Sequence, residues 1–384
     1  MKKIVLPLLL ASLFLAVTAS AKIRRVGFFA NQIANQDYPL FVDAYNSASS
    51  GDTILVFPGK SIPNGFGITK KLVIIGTGNW LDPNSTPKGN ANLQAFAGTP
   101  TSGSVYFQTG SAGSVIMGFD FGSTTVYVSA DDITIRRNKD IYVNLAYNIN
   151  GPANTPLAVN NLQILENYRL GITDSYNDFP NQTLNISNNL MIYFNLTHTG
   201  PYKGSVFNNI WALDGSGAIN GGSGSFSSAQ SIVLGGGVWL FQNNILLSYT
   251  NASAASNYNY FTFTGETNSV FNYNLNVQSY NGSTWPVGSG NITVTPANAA
   301  LVFNGFPAIG SFTADNRYQL TANSAAKVAN RPGSSVDAGM FAGPTPYKLS
   351  TIPSIPTIYL FTSPQGNNPS GSTIQFNVST RANN

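Results

Sequence analysis

The sequence predicts an all-β fold, a right-handed parallel β-helix (solenoid) with a short N-terminal capping helix and a Pro-rich β C-terminal tail. Two observations lead to this class. From Lys71 onward almost every apolar cluster is short, β-rich and bounded by Asn, Gly or Asp. One pattern also recurs: apolar, any, apolar, any, any, then Asn or Asp. A unit of one basic length with variable insertions is typical of a solenoid.

The repeats differ in spacing but share their chemistry. The copies are Val115, Met117, Asp120; Ile133, Ile135, Asn138; Leu162, Ile164, Asn167; Leu184, Ile186, Asn189; Val206, Asn209; Val238, Leu240, Asn243; and Phe271, Asn274. Their closing residues lie 18, 29, 22, 20, 34 and 31 positions apart, which suits coils with loops inserted at some corners. The alternative is an antiparallel sandwich with Asn-rich turns, but few Asn-Gly hairpin signals join adjacent strands.

The repeat makes a specific structural prediction. Two apolar residues at alternating positions point to one face of a strand, and Asn tolerates the left-handed conformation of a tight corner. One buried column is therefore predicted from Ile135, Ile164, Ile186, Val206 and Leu240. Stacked asparagines at one shared corner are predicted from Asn138, Asn167, Asn189, Asn209 and Asn243.

The two ends of the chain have their own signatures. Residues 1–21 combine two lysines, an apolar run and a small-residue site, which predicts a cleavable secretory signal and a secreted, extracellular or cell-surface protein, with the periplasm as the alternative. A capping helix is predicted within Tyr38–Ser47, at the start of a β-helix domain over 22–342. A tail with two short strands is predicted over 343–384, and we expect it to cover the open end of the solenoid or to pack along its side.

Composition excludes several function classes. The chain has no Cys, so its stability must come from burial and hydrogen bonding rather than disulfides. Charged residues make up 9% of the chain, against roughly 25% in average soluble domains, and they do not form the clusters that phosphate binding needs. We therefore predict no nucleic-acid partner, no membrane span and no cofactor, and leave calcium binding open. The single histidine, His198, is interpreted as a loop residue.

The densest charge cluster supplies the candidate catalytic residues. It contains Asp131, Asp132, Arg136, Arg137, Lys139 and Asp140, with Glu166 and Arg169 one repeat later. Asp131, Asp132, Glu166 and Arg169 are the catalytic candidates, because glycan-cleaving enzymes use acids with an Arg or Lys nearby. Alignment of Asn138 with Asn167 offers a structural interpretation, since it places Arg137 beside Glu166 and Asp140 beside Arg169. Such pairs would stabilise the stack without taking part in chemistry.

Aromatic residues are the second candidate feature, with 24 Phe and 18 Tyr in the chain. Exposed aromatic rows stack on sugar rings, and Tyr258, Tyr260 and Trp285 are the glycan-binding candidates. The alternative is that Phe fills the coil interior and Tyr lines the outer faces.

The chain resembles the secreted bacterial right-handed parallel β-helix proteins of the broad pectin-lyase-like group. The resemblance rests on the repeats, on the N-terminal stretch AYNSASSGDTILVFPG and on a segment around Tyr318–Leu320 and Val336–Gly343 that is similar to the closing coil of such proteins. The Gly-His-Gly and Arg-x-Lys motifs of polygalacturonases are missing, so the resemblance implies architecture rather than activity. The function predicted is a non-catalytic protein that presents a polar and aromatic surface to a glycan or cell-surface component. The alternatives are a polysaccharide lyase or glycoside hydrolase, and a self-associating structural surface protein.

Overall fold

A computed structural model describes residues 21–28, 32–79, 99–100, 104–145, 159–174, 182–197, 202–213, 230–248, 261–265, 267–278, 285–305, 315–353, 357–362 and 377–381. The fold class is confirmed: two sheets of 11 and 13 strands are stacked coil upon coil as a parallel β-helix. Each described strand pair within these sheets is parallel, and the antiparallel sandwich is therefore wrong.

The first sheet has the order β2-β1-β3-β5-β8-β10-β12-β14-β16-β19-β22. Its strands are β1 (Ile23–Val26), β2 (Asp37–Tyr38), β3 (Thr53–Val56), β5 (Val73–Ile75), β8 (Val115–Met117), β10 (Thr134–Arg136), β12 (Leu162–Leu165), β14 (Gln182–Ser187), β16 (Tyr202–Phe207), β19 (Val238–Gln242) and β22 (Val270–Asn272). The coils enter this sheet one after another, so each strand pairs with the strand of the next coil.

The second sheet contains β4 (Phe66–Ile68), β6 (Thr99–Pro100), β7 (Val105–Phe107), β9 (Phe119–Val128), β11 (Lys139–Leu145), β13 (Tyr168–Asp174), β15 (Leu190–Leu196), β17 (Ile210–Leu213), β18 (Gln230–Leu234), β20 (Ile245–Ser248), β21 (Phe261–Thr264), β23 (Leu275–Gln278) and β24 (Ile292–Val294). It forks at β15, because the start of this strand pairs with β17 and its end pairs with β18. A separate antiparallel hairpin joins β25 (Thr357–Thr362) to β26 (Asn377–Arg381).

The interior column is confirmed for four of its five predicted members. Ile135, Ile164, Ile186 and Val206 are aligned on successive strands and fully buried. The fifth prediction, Leu240, is wrong by one residue: Leu240 pairs with Ser205 on the outer face, and Phe241 pairs with Val206 in the interior. The first copy of the repeat is displaced in the same way, since Ile116 and not Met117 aligns with Ile135.

A ladder of asparagine side chains runs along the corner between the sheets. Each side-chain amide donates to the Oδ1 of the next asparagine, at distances from 2.9 to 3.2 Å. Its members are Asn138, Asn167, Asn189, Asn209, Asn244, Asn274 and Asn291. The prediction is confirmed for the first four, but Asn244 takes the place assigned to Asn243.

The residue immediately before each ladder asparagine makes the turn. This corner position has a positive φ in successive coils, including 54° at Arg137, 57° at Glu166 and 58° at Asn243. A left-handed conformation disfavours most side chains and favours Asn among non-glycine residues. Asn243 is therefore the turning residue of an Asn-Asn pair, and the ladder position follows it.

The N-terminal end is capped by helix α1 (Phe41–Ser47), as predicted, and by a buried ion pair. Arg24 occupies the register of the interior column, next to Ile54. Its Nη2 lies 3.2 Å from Asp52 Oδ2. The Asp52 carboxylate also accepts hydrogen bonds from the backbone N–H of Lys22 at 2.8 Å and of Ser49 at 3.0 Å. A polar network thus closes the apolar interior at this end.

We expect Asp52→Asn to make the thermal stability of the protein less sensitive to acid. Burial acts to raise the pKa of Asp52, but the N–H groups of Lys22 and Ser49 and the Arg24 guanidinium outweigh it and lower that pKa below 3.8. The folded state therefore binds fewer protons, and the stabilisation is present above pH 3.8 and is lost as the pH falls through the lowered value. The thermal midpoint should fall less between pH 7 and pH 3 in the variant than in wild type, with exposed Asp43→Asn as the control. Equal falls in all three proteins would contradict this role.

The C-terminal part of the chain packs along the side of the solenoid. We call residues 315–353 the C-terminal strap. It contains the 3-10 turns Asn316–Tyr318, Val328–Asn330 and Leu349–Thr351, and it follows helix α2 (Pro296–Ala299). Asn188 Nδ2 donates to the carbonyls of Met340 and Ala342 at 2.9 and 2.6 Å. The prediction of a closing coil is therefore wrong, because Tyr318–Leu320 and Val336–Gly343 lie in the strap and in no strand of the two sheets.

The strap covers an outward-facing apolar column on the second sheet. The column consists of the residues that follow the ladder asparagines from Asn167 to Asn274, and its buried members are Tyr168, Leu190, Ile210, Ile245 and Leu275. They form a second hydrophobic cluster with strap residues such as Ala338, Met340 and Tyr347. The second sheet is thus covered on both faces where the strap lies, which is why its strands are apolar beyond the predicted repeat.

Candidate functional site

The charge cluster is built from two turning positions on neighbouring coils. Arg137 and Glu166 both occupy the corner position, so their side chains leave the corner side by side. Glu166 Oε2 accepts a hydrogen bond from Arg137 Nε at 2.6 Å, and Oε1 accepts one from Arg136 Nη2 at 2.5 Å. Asp140 and Arg169 form a second pair of positive-φ residues, and Arg169 Nη1 lies 2.8 Å from Asp140 Oδ1. Both predicted pairs are therefore present.

The Arg137–Glu166 pair is buried, although the repeat alignment suggests an exposed ladder. The exposed fraction of the side chain is 2% for Arg137 and 1% for Glu166. Arg137 Nη1 donates to the carbonyl of Ile352 at 3.0 Å, so the C-terminal strap lies over the pair. Burial lowers the pKa of Arg137, and the Glu166 carboxylate opposes this shift. A glycan in solution cannot contact Glu166 while the strap is in place.

The candidate acids Asp131 and Asp132 are not brought together with Glu166. Asp131 Oδ1 accepts a hydrogen bond from the N–H of Asn160 at 2.7 Å, and Asp132 Oδ1 accepts one from Asn161 Nδ2 at 2.8 Å. Both aspartates precede β10, whereas Glu166 follows the neighbouring β12. A strand rises roughly 3.3 Å per residue, so the start of β10 and the end of β12 lie apart along the strand direction. The acids stabilise opposite corners and do not form a catalytic pair.

Of the glycan-binding candidates, only Trp285 lies among the described residues, and it is buried. Trp285 is 9% exposed, and its Nε1 donates to the carbonyl of Leu275 at 3.0 Å. Its ring packs 5.2 Å from the ring of Phe263, so it is part of the interior and offers no exposed stacking surface. Tyr258, Tyr260 and His198 lie outside the described residues.

A different set of tyrosines lies on the outer face of the second sheet. We call this the tyrosine face, formed by Tyr106, Tyr127, Tyr142 and Tyr193, all partly exposed. The rings of Tyr106 and Tyr127 are stacked with centroids 4.6 Å apart and an interplanar angle of 5°. Strand alternation explains why these tyrosines face outward, because Val126, Val143 and Phe194 from the same strands point into the core.

The ring of Tyr142 lies over the neighbouring coil. It pairs in register with Gly171 of the next coil, and Gly171 pairs with Tyr193. A Cβ atom on Gly171 would lie 2.4 Å from Cδ1 and 2.5 Å from Cε1 of Tyr142. The glycine therefore leaves room for the Tyr142 ring to lie across the sheet. The Tyr142 side chain is partly exposed in this position, and we call its ring the platform.

Polar and charged groups surround this platform. Asn195 Nδ2 donates to the Tyr193 hydroxyl at 2.6 Å. Burial raises the pKa of Tyr142, Arg169 opposes the rise, and Tyr193 and Asp140 add to it. The hydroxyl of Tyr142 is thus a protonated donor at neutral pH.

A single ammonium group links two carboxylates near the same strand. Lys139 Nζ lies 2.5 Å from Asp120 Oδ2 and 3.0 Å from Asp140 Oδ2. Burial acts to lower the pKa of Lys139, but Asp140 and Asp120 outweigh it and raise that pKa above its ordinary value. Lys139 therefore stays charged at neutral pH and balances the acids beside it.

Among the residues that the structure describes, no three His, Cys, Asp or Glu side chains come together as a metal site. Nor does any helix in the described ranges have the length and apolar character to cross a membrane. Comparison with protein-family models, curated proteins and solved structures found no match to this chain.

Proposed function

We propose that this protein is a secreted, non-catalytic parallel β-helix that binds a neutral glycan on its tyrosine face. The observation that carries the proposal is the Tyr142 ring lying across Gly171. A flat aromatic ring stacks on the apolar face of a sugar, and neighbouring hydroxyl and amide groups bind its hydroxyls. The predicted N-terminal signal supports the export part of the proposal.

A neutral ligand follows from the charges beside the platform. Asp120 and Asp140 are balanced by Lys139 and Arg169 through contacts of 2.5 to 3.0 Å. The described cluster therefore has no excess of positive charge to favour a uronic acid polymer over a neutral one.

The same contacts favour binding over cleavage. A hydrolase needs one carboxylic acid that stays protonated to act as general acid. Asp120 and Asp140 both contact the Lys139 ammonium, at 2.5 and 3.0 Å, and are its ion-pair partners. A lyase needs a base with a pKa near the working pH, and the pKa of Lys139 is raised instead. Release of reducing ends from a polysaccharide panel would favour the lyase or hydrolase alternative.

We expect Tyr142→Ala to weaken glycan binding by about tenfold, equivalent to 1.4 kcal/mol, because the platform ring is lost. Tyr142→Phe keeps the ring and should bind nearly as well as wild type. The matched control is Phe28→Ala, which removes a ring that is 81% exposed at the N-terminal end of the solenoid. A glycan array on the mature protein selects the ligand, and calorimetric titration measures the affinities. No bound glycan, or equal affinity of Tyr142→Ala and wild type, would overturn the proposal.

A further inference from the structure

The outer face of the first sheet carries an apolar patch over its early coils. We define it as Leu55, Val73, Ile75, Val115 and Met117, on β3, β5 and β8. The register aligns Leu55 with Ile75 and Met117, and Val73 with Val115. The alternating residues Ile54, Ile74 and Ile116 are fully buried in the interior. These strands are thus apolar on both faces, which is typical of a sheet with a covering layer.

The C-terminal strap ends beside this patch. Asn79 Nδ2 donates to Thr351 Oγ1 at 2.7 Å, and the carbonyl of Ile352 accepts from Arg137. Pro353 then lies against Gly118, where an added Cβ would be 2.7 Å from the proline Cγ. Because Gly118 directly follows Met117, the chain leaves the strap at the edge of the apolar patch.

The next described element is the β25–β26 hairpin, and the tether to it is short. The chain from Pro353 to Thr357 spans four residue steps, or at most about 14 Å when extended. An isolated two-stranded hairpin is only marginally stable in water and needs an apolar face to pack on. The sequence of β25, TIYLFT, is largely apolar and aromatic.

We propose that the β25–β26 hairpin docks face-on over the apolar patch as a third layer of the same chain. The occupant is set by the tether, which holds the hairpin within reach of this patch at high effective concentration. The opposite end of the first sheet, at β22, lies six strand spacings from β8 in the sheet order, which is about 29 Å away. Leu360 is seven residue steps from Pro353, at most about 25 Å when extended, so it can reach β8 but not β22.

Cross-linking in the full chain tests this placement, since the native sequence has no cysteine to interfere. One variant combines Val115→Cys with Leu360→Cys, and a second combines Val73→Cys with Leu360→Cys. The control combines Val270→Cys with Leu360→Cys, because Val270 faces outward on the same sheet at β22 and is 48% exposed. A bismaleimide with a short arm is added to each, and products are sized and mapped by mass spectrometry.

We expect intramolecular cross-links in the Val115 and Val73 variants at yields at least tenfold above the Val270 control. Two test positions keep the result decisive if one variant fails to fold. Equal yields at all three positions, or no cross-link to the patch, would overturn the proposal. Cross-links that join two chains and increase with protein concentration would also overturn it, because the patch would then be covered by a second copy.

Discussion

We expect Glu166→Gln to lower the free energy of unfolding by about 3–5 kcal/mol, because it leaves buried guanidinium charge without its carboxylate partner. Glu166 holds Arg137 at 2.6 Å and Arg136 at 2.5 Å, and the strap closes over this contact. The loss should appear as a lower urea midpoint. The loss of free energy should exceed the contribution of an exposed ion pair, which is under about 1 kcal/mol.

The control for this prediction is Asp337→Asn, which neutralises a surface pair. Lys327 Nζ lies 3.7 Å from Asp337 Oδ2, and both side chains are about one third exposed. The asparagine can still accept the hydrogen bond that Asp337 Oδ1 receives from the N–H of Val328. We expect its midpoint to stay close to wild type. If Glu166→Gln is as stable as wild type but loses a glycan-cleaving activity, the interpretation of Glu166 as a buried structural residue is wrong and a catalytic role is supported instead.

The charge cluster shows what the repeat could predict and what it could not. Aligning Asn138 with Asn167 was enough to pair Arg137 with Glu166, because neighbouring coils place equivalent residues side by side. The burial of that pair depends on Ile352, which is 215 residues from Arg137 along the chain. A repeat pattern contains no information about a non-repeating segment that folds back over it.

The one-residue slip at Leu240 and Asn243 has a local cause. Val238 and Leu240 alternate just as Trp239 and Phe241 do, so periodicity alone fits either pair to the interior. The Asn-Asn sequence that follows offers two ladder candidates. The choice is settled by backbone conformation, since the first asparagine must turn with φ of 58°. The earlier pair Asn188-Asn189 has the same arrangement, with 59° at Asn188.

The tyrosine face is not evident as a cluster in the sequence, because its four tyrosines lie on four separate strands, β7, β9, β11 and β15. A signal was present: Gly171 interrupts an otherwise β-forming strand, and a glycine in a strand marks a close approach of other atoms. Tyr142 fills that space from the preceding coil. The alignment of Asn138 with Asn167 also places Tyr142 beside Gly171, because the residues of each pair are 29 positions apart.

The strap, the hairpin and the tyrosine face divide the outer surface between them. The strap covers the corner and the start of the second sheet, where Tyr168 and Leu190 are buried. The proposed hairpin covers the early first sheet. The tyrosine face lies further along the strands of the second sheet, where its rings stay partly exposed. Such a division would keep apolar surface covered while leaving one aromatic surface open to a ligand.

Asn189→Leu should be the most informative change in the asparagine ladder. The Asn189 Oδ1 accepts from both the backbone N–H and the side-chain amide of Asn167, at 2.8 and 3.0 Å. Its Nδ2 donates to the carbonyl of Ile164 and to Asn209 Oδ1, both at 2.9 Å. Leucine fills a similar volume but offers no partner to these buried groups.

We expect Asn189→Leu to lower the free energy of unfolding by about 3 kcal/mol or more, since each buried polar group left without a partner costs about 1–3 kcal/mol. The matched control is Asn185→Leu on β14 of the same coil. Asn185 lies on the outer face, where its amide donates to Gln163 Oε1 at 2.8 Å and its Oδ1 accepts from Ser205 at 3.1 Å. Water can replace those contacts, so we expect a loss under about 1 kcal/mol. Urea unfolding of the two variants measures the difference, and equal losses would show that the ladder contributes no more than a surface amide row.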